Sequence, residues 1–230
     1  MKKKLALFDL DLTLINESGG NLHLNSFDYA FKKVFNLDTD IRNEIDYSGK
    51  TDLGLIIEVC NKHGVAKETI QDNISEFINV MSSHFEKNIC NVSIAPMPGS
   101  INLLKYLSGS ADTMLGIVTG NCSSIANVKL KKLNMDEYFD NGLKGFGDSF
   151  ERRIDIVKNV MLKATKYENK ITAFVFDDTP RGMEAAVGAG IKCIAVMTGK
   201  YKDKSSFSKY TPVLILNNLE EMEKIKKIFT

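Results

Sequence analysis

Two aspartates that directly follow a short apolar segment constrain this chain more than any other feature of its sequence. Residues 5–8 are apolar and typical of a buried strand, and Asp9, Asp11 and Thr13 follow at alternate positions, where the strand gives way to a turn. Both carboxylates should therefore emerge at one end of this strand. Paired acids can serve solubility alone, but Asp-x-Asp-x-Thr after an apolar strand is a less common pattern and favours a reactive site.

Composition limits the classes of protein to which the chain can belong. With 230 residues, 43% of them hydrophobic, it is long enough for one domain or for a core domain with a smaller insertion. The net charge of +1 gives no reason to expect a nucleic-acid partner, and no apolar stretch reaches membrane-spanning length. The apolar run after the basic start stops at Asp9, too early for a signal peptide. The four cysteines show no paired spacing, so we expect reduced thiols and a cytoplasmic protein.

The segment after the first strand changes to helical periodicity. Residues 16–21 have turn composition and should lead the chain out of the sheet. Apolar residues then recur three and four positions apart, which is typical of amphipathic helices, and Asn25 or Ser26 is available as the first N-cap. The predicted helices cover residues 27–35, 53–60 and 70–85.

These three helices predict a separate helical unit, because together they can bury their apolar faces against one another. We therefore expect an inserted helical domain over residues 16–92. Pro96 and Pro98 break the helical pattern and stiffen a return crossing. The core domain would then consist of residues 1–15 and 93–230.

Strands and helices alternate along the rest of the chain. This alternation predicts an α/β fold with a doubly wound parallel sheet that has helices on both faces. In such sheets the ligand crevice lies at the carboxyl ends of the strands. Strands are predicted over residues 115–118, 171–176, 191–196 and 213–216. Helices are predicted over residues 101–107, 123–133 with Ser123 as the cap, 157–164 and 219–229.

Polar residues suited to a phosphate and a divalent cation follow three of the predicted strands. Beside Asp9 and Asp11, the tripeptide Thr119-Gly120-Asn121 follows the second strand of the core, and Asp177-Asp178 follows the third. Carboxylates and a backbone carbonyl are the hard oxygen ligands that Mg²⁺ prefers, and backbone amides before a helix can cradle an anion. Taken alone, Thr-Gly-Asn is also consistent with an ordinary turn.

A basic residue that could hold the phosphate is found at the start of a predicted helix. Arg152 and Arg153 are adjacent there, and Lys158 follows one and a half turns later as a weaker candidate. A guanidinium matches phosphate geometry well, although arginines at a helix start are usually solvated. The spacing alone leaves open whether Arg152 or Arg153 is the residue that binds.

With these parts in this order, nearly the whole chain resembles the phosphatases of the haloacid dehalogenase superfamily, including the phosphoglycolate phosphatase-like and β-phosphoglucomutase-like branch with a type 1 helical cap. The resemblance implies that Asp9 is the aspartyl-phosphate nucleophile and Asp11 the general acid/base. It also implies a Mg²⁺ cofactor held by Asp9, the backbone carbonyl of Asp11 and Asp178. The phosphate ligands that it implies are Thr119, Gly120, Asn121 and Arg153.

The chain departs from the family pattern at three positions. Leu12 stands where a glycine usually follows the second aspartate, which predicts a less open turn, and the third motif has an arginine where lysine is common. Gly182 stands where the fourth motif often has a second acid, while Asp177 precedes the first. We therefore expect Asp177 to lie outside the direct metal ligands and to orient a metal-bound water, which would compensate for Gly182.

The resemblance implies a Mg²⁺-dependent phosphatase that acts on a small phosphorylated metabolite, as a monomer or a homodimer. An acid at position 11 favours phosphate chemistry over carbon–halogen cleavage. An intramolecular sugar phosphomutase and a non-catalytic protein that binds phosphometabolites remain alternatives. Specificity should come from the helical domain.

Three further residues have weaker functional hypotheses beside an ordinary structural explanation. Lys50, in the turn of residues 49–52, is the candidate substrate contact from the helical domain, although the turn is equally explained as a solvated helix cap. His23 could contact substrate or pack in the helical domain. Cys122, next to the Thr-Gly-Asn turn, could make activity redox-sensitive.

Overall fold

A six-stranded parallel sheet forms the centre of the protein. The computed structural model describes residues 3–168 and 170–229. In these ranges the strands of the sheet lie in the order β5, β4, β1, β6, β7, β8, and β2 and β3 form a separate antiparallel pair. In chain order the strands are β1 (Lys3–Phe8), β2 (Ile15–Ser18), β3 (Ser93–Pro96), β4 (Thr113–Val118), β5 (Lys144–Gly145), β6 (Ile171–Asp177), β7 (Lys192–Val196) and β8 (Leu214–Leu216).

The sheet is covered by helices on both faces, as the alternation of elements predicts. Leu5 and Leu7 of β1 belong to one buried cluster, whereas Ala6 and Phe8 belong to the other, because successive strand residues point to opposite faces. The prediction of a doubly wound parallel sheet is therefore confirmed. The helices are α1 (Leu22–Ala30), α2 (Ile41–Glu44), α3 (Asp52–Lys62), α4 (Lys67–Asn88), α5 (Ser100–Ser108), α6 (Ser123–Lys132), α7 (Arg153–Ala164), α8 (Pro180–Gly188), α9 (Ser205–Ser208) and α10 (Met222–Phe229).

The segment between β2 and β3 is helical, as its periodicity predicts. A π-helical turn, Phe31–Phe35, continues α1 and ends at Asn36, whose φ is +54°. Phenylalanines from α1, the π-helical turn and α4 pack against one another. That this helical segment forms a separate domain over residues 16–92 stays a prediction.

The start of this segment differs from the prediction in two respects. The helix begins at Leu22 after Asn21, so Asn25 and Ser26 lie inside α1 and neither is its cap. Part of the expected turn, Ile15–Ser18, is instead β2, which pairs with Ser93–Pro96. The two segments that connect the sheet to the helices are therefore hydrogen-bonded to each other. Neither the turn residues of the first nor the prolines of the second indicate this pairing.

Two other local predictions are also corrected. Cys122 is the N-cap of α6, and Ser123 is already its first helical residue. The edge strand β5 has only two residues, too few for a periodic signal, and was not predicted. Among the helices in the described ranges, none has both the length and the apolar character that a membrane crossing requires.

Candidate active site

The predicted site residues come together because β1 lies between β4 and β6 in parallel register. Phe8, the last residue of β1, pairs with Ile117 on one side and Phe176 on the other. The amide of Asp9 continues this pairing by donating to the carbonyl of Phe176 at 3.0 Å. Residues that follow these three strands therefore lie at one edge of the sheet.

The turn after Asp11 has a conformation that leucine rarely adopts. Leu12 has a φ of +61°, in the left-handed region that costs a non-glycine residue about 1–2 kcal/mol. The turn is held by the amide of Leu12, which donates to the carbonyl of Ile15 at 2.7 Å, and by Thr198, which donates to the carbonyl of Leu12. Thr13 is fully buried, and its hydroxyl donates to Asp178 at 3.4 Å.

Arg153 and Arg152 have different surroundings. Arg153 is buried at the start of α7, where its Nη2 lies 3.3 Å from Oδ1 of Asp9 and donates to Oδ2 of Asp177. Arg152 is exposed and pairs with Asp155 at 2.9 Å. Lys158 is exposed. The geometry thus favours Arg153 as the third-motif basic residue.

Three buried carboxylates lie against Arg153. One oxygen from each of Asp9, Asp177 and Asp178 lies within 4.8 Å of the others. Burial raises the pKa of Asp9 to about 7 against the opposing effect of Arg153, and burial together with Asp177 raises the pKa of Asp178 well above its usual value. One guanidinium does not balance three carboxylates, so the cluster has the charge and the hard oxygen donors that suit a divalent cation such as Mg²⁺.

The carboxyl group of Asp177 is already engaged within the protein. Its Oδ1 accepts from the amide and the hydroxyl of Thr179, at 2.8 and 2.7 Å, and its Oδ2 accepts from Arg153. A Cβ at Gly182 would overlap this carboxyl group. The departures at Asp177 and Gly182 are therefore linked, because the Asp177 side chain fills the space that a side chain at position 182 would need.

Asp178 has a more open environment than Asp177. It lines the cavity in front of the sheet edge, and a Cβ at Gly199 would overlap its Oδ2. Thr13 donates to its carboxylate at 3.4 Å, a long contact, and its own backbone amide contributes a further hydrogen bond. Because Asp178 lines the cavity, its carboxylate can still bind a cation there.

The loop after β4 forms a compact turn that connects the sheet to α6. Gly120 and Asn121 line the cavity, whereas Thr119 is fully buried and accepts from the amide of Asn121 at 3.3 Å. The next two amides are already occupied: Cys122 donates to Asp52 at 2.6 Å and Ser123 donates to Asp148 at 2.9 Å. Within the loop, the amide of Asn121 donates to Thr119 and the amide of Thr119 donates to the carbonyl of Gly145 at 3.1 Å, so an anion cradle here would rest on the Thr119 hydroxyl and the amide of Gly120.

A buried lysine, which no sequence pattern indicates, contacts Asp11. The Nζ of Lys129 lies 2.7 and 2.9 Å from the two oxygens of the Asp11 carboxylate, and Asn121 donates to the same carboxylate at 2.9 Å. Burial by itself would raise the pKa of Asp11, but Lys129, His23 and the hydrogen bonds from Lys129 and Asn121 together lower it below its usual value. Asp11 is thus held in its ionised form in this arrangement.

Residues of the helical segment close the other side of the cavity. Asp52, whose position in the sequence suggests only a helix-capping turn, is buried and accepts from His23 at 3.1 Å and from the amide of Cys122. Lys50 lines the cavity, but its ammonium pairs with Glu58. The cavity of about 650 Å³ extends from Asp9 to apolar residues of α1 and the α2–α3 connection, namely Leu24, Phe27 and Ile45.

The surroundings of Cys122 argue against the redox hypothesis. The thiol is fully buried, and burial, with a smaller contribution from Asp52, raises its pKa to about 12. Because the thiolate is the reactive form, we expect mild peroxide to leave turnover unchanged. Exposed Cys90 should be labelled first by iodoacetamide.

Peptide mapping of labelled protein checks this expectation, with Cys90→Ser as the control that removes the fast site. Oxidation of Cys122 accompanied by loss of turnover in Cys90→Ser would contradict it.

Comparisons with solved structures place the fold among known phosphatase-like proteins. CbbY from Rhodobacter sphaeroides, solved with phosphate, has a TM-score of 0.71 at 20% identity and 96% coverage of both chains. A predicted phosphatase from Clostridium acetobutylicum has a TM-score of 0.70 at 18% identity, covering 99% of this chain and 100% of its own. A candidate β-phosphoglucomutase from Bacteroides vulgatus has a TM-score of 0.68 at 21% identity, with 99% and 89% covered. At these identities the likeness shows the fold.

The family is shown by the sequence itself. A search of curated proteins finds no significant match. The family model described as "Haloacid dehalogenase-like hydrolase" matches residues 6–196, which include both aspartates of the first motif, Thr119, Arg153 and Asp178. The predicted superfamily and the prediction that the chain is a hydrolase are confirmed, and the chain belongs to the haloacid dehalogenase-like hydrolases.

Proposed function

We propose that the protein is a Mg²⁺-dependent phosphatase that acts on a small phosphorylated metabolite through an aspartyl-phosphate intermediate. One observation carries the proposal. The carboxylate of Asp9 lies at the end of β1, 3.3 Å from Arg153 and within the acidic cluster, and it lines a cavity large enough for a small ligand.

In this proposal Asp9 is the nucleophile. An oxygen of its carboxylate attacks phosphorus, the bond from phosphorus to the leaving oxygen breaks, and Asp11 gives that oxygen a proton. Water then attacks the phosphorus of the aspartyl phosphate and gives a proton to Asp11. The bond from phosphorus to the Asp9 oxygen breaks, which releases inorganic phosphate and restores the free carboxylate of Asp9. The ionised state of Asp11 described above corresponds to the second of these steps, in which it accepts a proton.

The phosphate would be held from two sides. Arg153 supplies positive charge beside Asp9, and the loop of Thr119, Gly120 and Asn121 at the neighbouring strand end supplies the Thr119 hydroxyl and the amide of Gly120, with the amide of Asn121 donating to Thr119. Donors that are already fixed before the substrate binds stabilise the charge that develops on the phosphoryl oxygens. The burial of Arg153 and Thr119 supports such fixed positions.

Asp9, Asp178 and the backbone carbonyl of Asp11 would hold Mg²⁺, with Asp177 outside the direct ligands. A bound Mg²⁺ would neutralise charge on the nucleophile and the phosphoryl group. The hydrogen bonds of Asp177 to Thr179 and Arg153 support its indirect position, because its oxygens are already used. Asp177 would then orient Arg153 and the ligands around it.

The leaving group would be selected by the helical segment. Leu24, Phe27 and Ile45 give the cavity an apolar wall, whereas the Lys50 ammonium is paired with Glu58 in this arrangement. A contact from Lys50 to substrate would therefore require that ion pair to open. This makes Lys50 the weaker of the proposed specificity contacts.

A screen of phosphorylated metabolites with Mg²⁺, ranked by kcat/KM, tests the proposed function. Release of inorganic phosphate from one class of small phosphomonoester supports a phosphatase. Interconversion of sugar phosphates that requires glucose 1,6-bisphosphate would instead support the phosphomutase alternative. Tight binding of phosphometabolites without turnover of any ester would support the non-catalytic alternative.

Asp11→Asn should have an effect that depends on the leaving group. Alkyl phosphates need protonation of the leaving oxygen, so their kcat should fall by about 10²–10⁴-fold, whereas p-nitrophenyl phosphate should lose much less. Steady-state kinetics with both esters measures the difference. Equal losses for the two esters would count against an acid role for Asp11.

A further inference from the structure

Lys129 is a buried cation next to the proposed acid/base. We propose that Lys129 is a positioning residue that fixes the carboxylate of Asp11 for proton transfer, an inference that rests on the proposed function. It lies in α6, on the helix that follows the proposed phosphate loop. It is 118 residues from Asp11 in sequence, yet it contacts both oxygens of that carboxylate.

The hydrogen bonds of Lys129 explain why it would position Asp11 and would not bind substrate. An ammonium has three donors. Its partners are the Asp11 carboxylate at 2.7 and 2.9 Å, Glu17 Oε2 at 3.2 Å and Asn121 Oδ1 at 3.2 Å. These three groups use the donors of the ammonium, so a phosphate could bind Lys129 only by displacing one of them.

The burial of Lys129 shows that these contacts balance a large desolvation cost. Its side chain is 1% exposed, and its ammonium lies 5.5 Å from the centre of the Phe85 ring. Lysine is almost never fully buried without a paired charge, because taking an ion out of water is strongly unfavourable. Here Asp11 and Glu17 provide two negative charges. If Lys129 formed only a structural ion pair, the carboxylate of Glu17 would be enough to balance its charge. Its ammonium nevertheless lies closer to Asp11, at 2.7 Å, than to Glu17, at 3.2 Å.

The contacts form one network that joins three parts of the site. Asn121 accepts from Lys129 and donates both to Asp11, at 2.9 Å, and to Thr119, at 3.2 Å. Glu17 belongs to β2, the first crossing into the helical segment. Lys129 therefore links the Asp11 carboxylate to the phosphate loop and to this crossing. These contacts restrict rotation of the Asp11 side chain and keep its carboxylate within reach of the leaving oxygen.

Loss of this restriction has a specific kinetic consequence. Proton transfer depends on the position of the Asp11 carboxyl group both when it is ionised, the form that the Lys129 contacts favour, and when it is protonated, the form that serves the leaving oxygen; a misplacement of about 1 Å can reduce the rate by about 10²-fold. In Lys129→Met we expect kcat for an alkyl phosphate to fall by about 10²-fold, with a much smaller loss for p-nitrophenyl phosphate. Lys129 lines the cavity, but its ammonium is engaged by Asp11, Glu17 and Asn121, so the KM for both esters should stay near that of the wild type.

A double-mutant cycle separates positioning from structural support. If Lys129 acts through Asp11, Lys129→Met should add little to the loss of alkyl phosphate turnover in Asp11→Asn. Lys131→Met, a change at an exposed lysine of the same helix, is the matched control and should leave both esters unaffected. Because Lys129→Met leaves two carboxylates without their cation, Lys129→Met/Glu17→Gln is measured as well, and it should show the same dependence on the leaving group.

The outcomes are distinct. A selective loss of alkyl phosphate turnover that vanishes in the Asp11→Asn background supports the inference. Equal losses for both esters, a large rise in KM, or full additivity with Asp11→Asn would overturn it while leaving the phosphatase intact. The alkyl phosphate used here is the best alkyl ester of the metabolite screen; wild-type protein that hydrolyses no ester of that screen would overturn the proposed function, and this inference with it.

Discussion

Asp9→Asn is expected to abolish turnover of every phosphate ester while the fold stays intact. The change removes the nucleophilic oxygen and one metal ligand together, and removal of a nucleophile reduces kcat on the scale of about 10⁶-fold. The fold should tolerate it because asparagine has nearly the same shape and relieves repulsion among three buried carboxylates. The thermal midpoint of the metal-free variant should equal or exceed that of the wild type.

Two further variants make this result interpretable. Asp9→Ala excludes slow conversion of the introduced asparagine back to aspartate as the source of residual activity. Asp72→Asn, at an exposed position in α4, is the matched control and should keep wild-type turnover. Wild-type-like turnover in Asp9→Ala would rule out Asp9 as the nucleophile.

Asp178→Ala and Asp177→Ala should differ in how they affect Mg²⁺ binding. Asp178 lines the cavity, and the hydrogen bond that Thr13 donates to it is long, so we expect its loss to remove Mg²⁺ binding almost completely. Asp177 contacts Thr179 and Arg153, so its loss should weaken the site by about 10–100-fold, the range for residues that orient metal ligands. Excess Mg²⁺ should then partly restore turnover in Asp177→Ala and not in Asp178→Ala.

Isothermal titration of Mg²⁺ into each variant measures affinity independently of activity, and a Mg²⁺ titration of turnover measures the rescue. Thermal unfolding of the metal-free variants shows whether loss of the Arg153 partner in Asp177→Ala also lowers stability. If Asp177→Ala fails to bind Mg²⁺ while Asp178→Ala is rescued by it, the assignment of the direct ligand is reversed.

The fold could be predicted from the sequence because its signals are local. The apolar strand before Asp9, the periodicity of α3 and α4, and the alternation after residue 93 all reflect burial patterns within short segments. Segment boundaries were predicted less well where hydrogen bonding between distant segments decides them. β2 forms only because Ile15–Ser18 pairs with Ser93–Pro96, and no pattern within either segment indicates that pairing.

The candidate site shows the same limit. Asp9, Asp11 and Asp178 stand out because they follow apolar strands in an ordered motif. Lys129 does not, since it precedes Lys131 and Lys132 and looks like part of a solvated helix end. Asp52 likewise looks like a helix-capping residue, although its carboxylate accepts from the amide of Cys122 70 residues away. Such partners become visible only once the chain is folded.

The sequence shows that the chain departs from the family pattern at Asp177 and Gly182, but it does not show why. An acid is displaced by five residues relative to the usual pattern, and the sequence alone suggests compensation. The structure gives the steric reason, since the Asp177 carboxyl group occupies the space beside the Cα of Gly182. A side chain at position 182 and the present conformation of Asp177 exclude each other.

Chemical trapping of the phosphoenzyme tests the central claim most directly. Wild-type protein is mixed with Mg²⁺ and an excess of the best ester from the metabolite screen, quenched in acid within one turnover and reduced with borohydride, which converts an aspartyl phosphate to homoserine. Mass mapping of the peptides should find homoserine at position 9 in the wild type and none in Asp9→Ala. Homoserine at another aspartate, or an active enzyme in which no acyl phosphate can be trapped during a measured burst of product, would contradict the account.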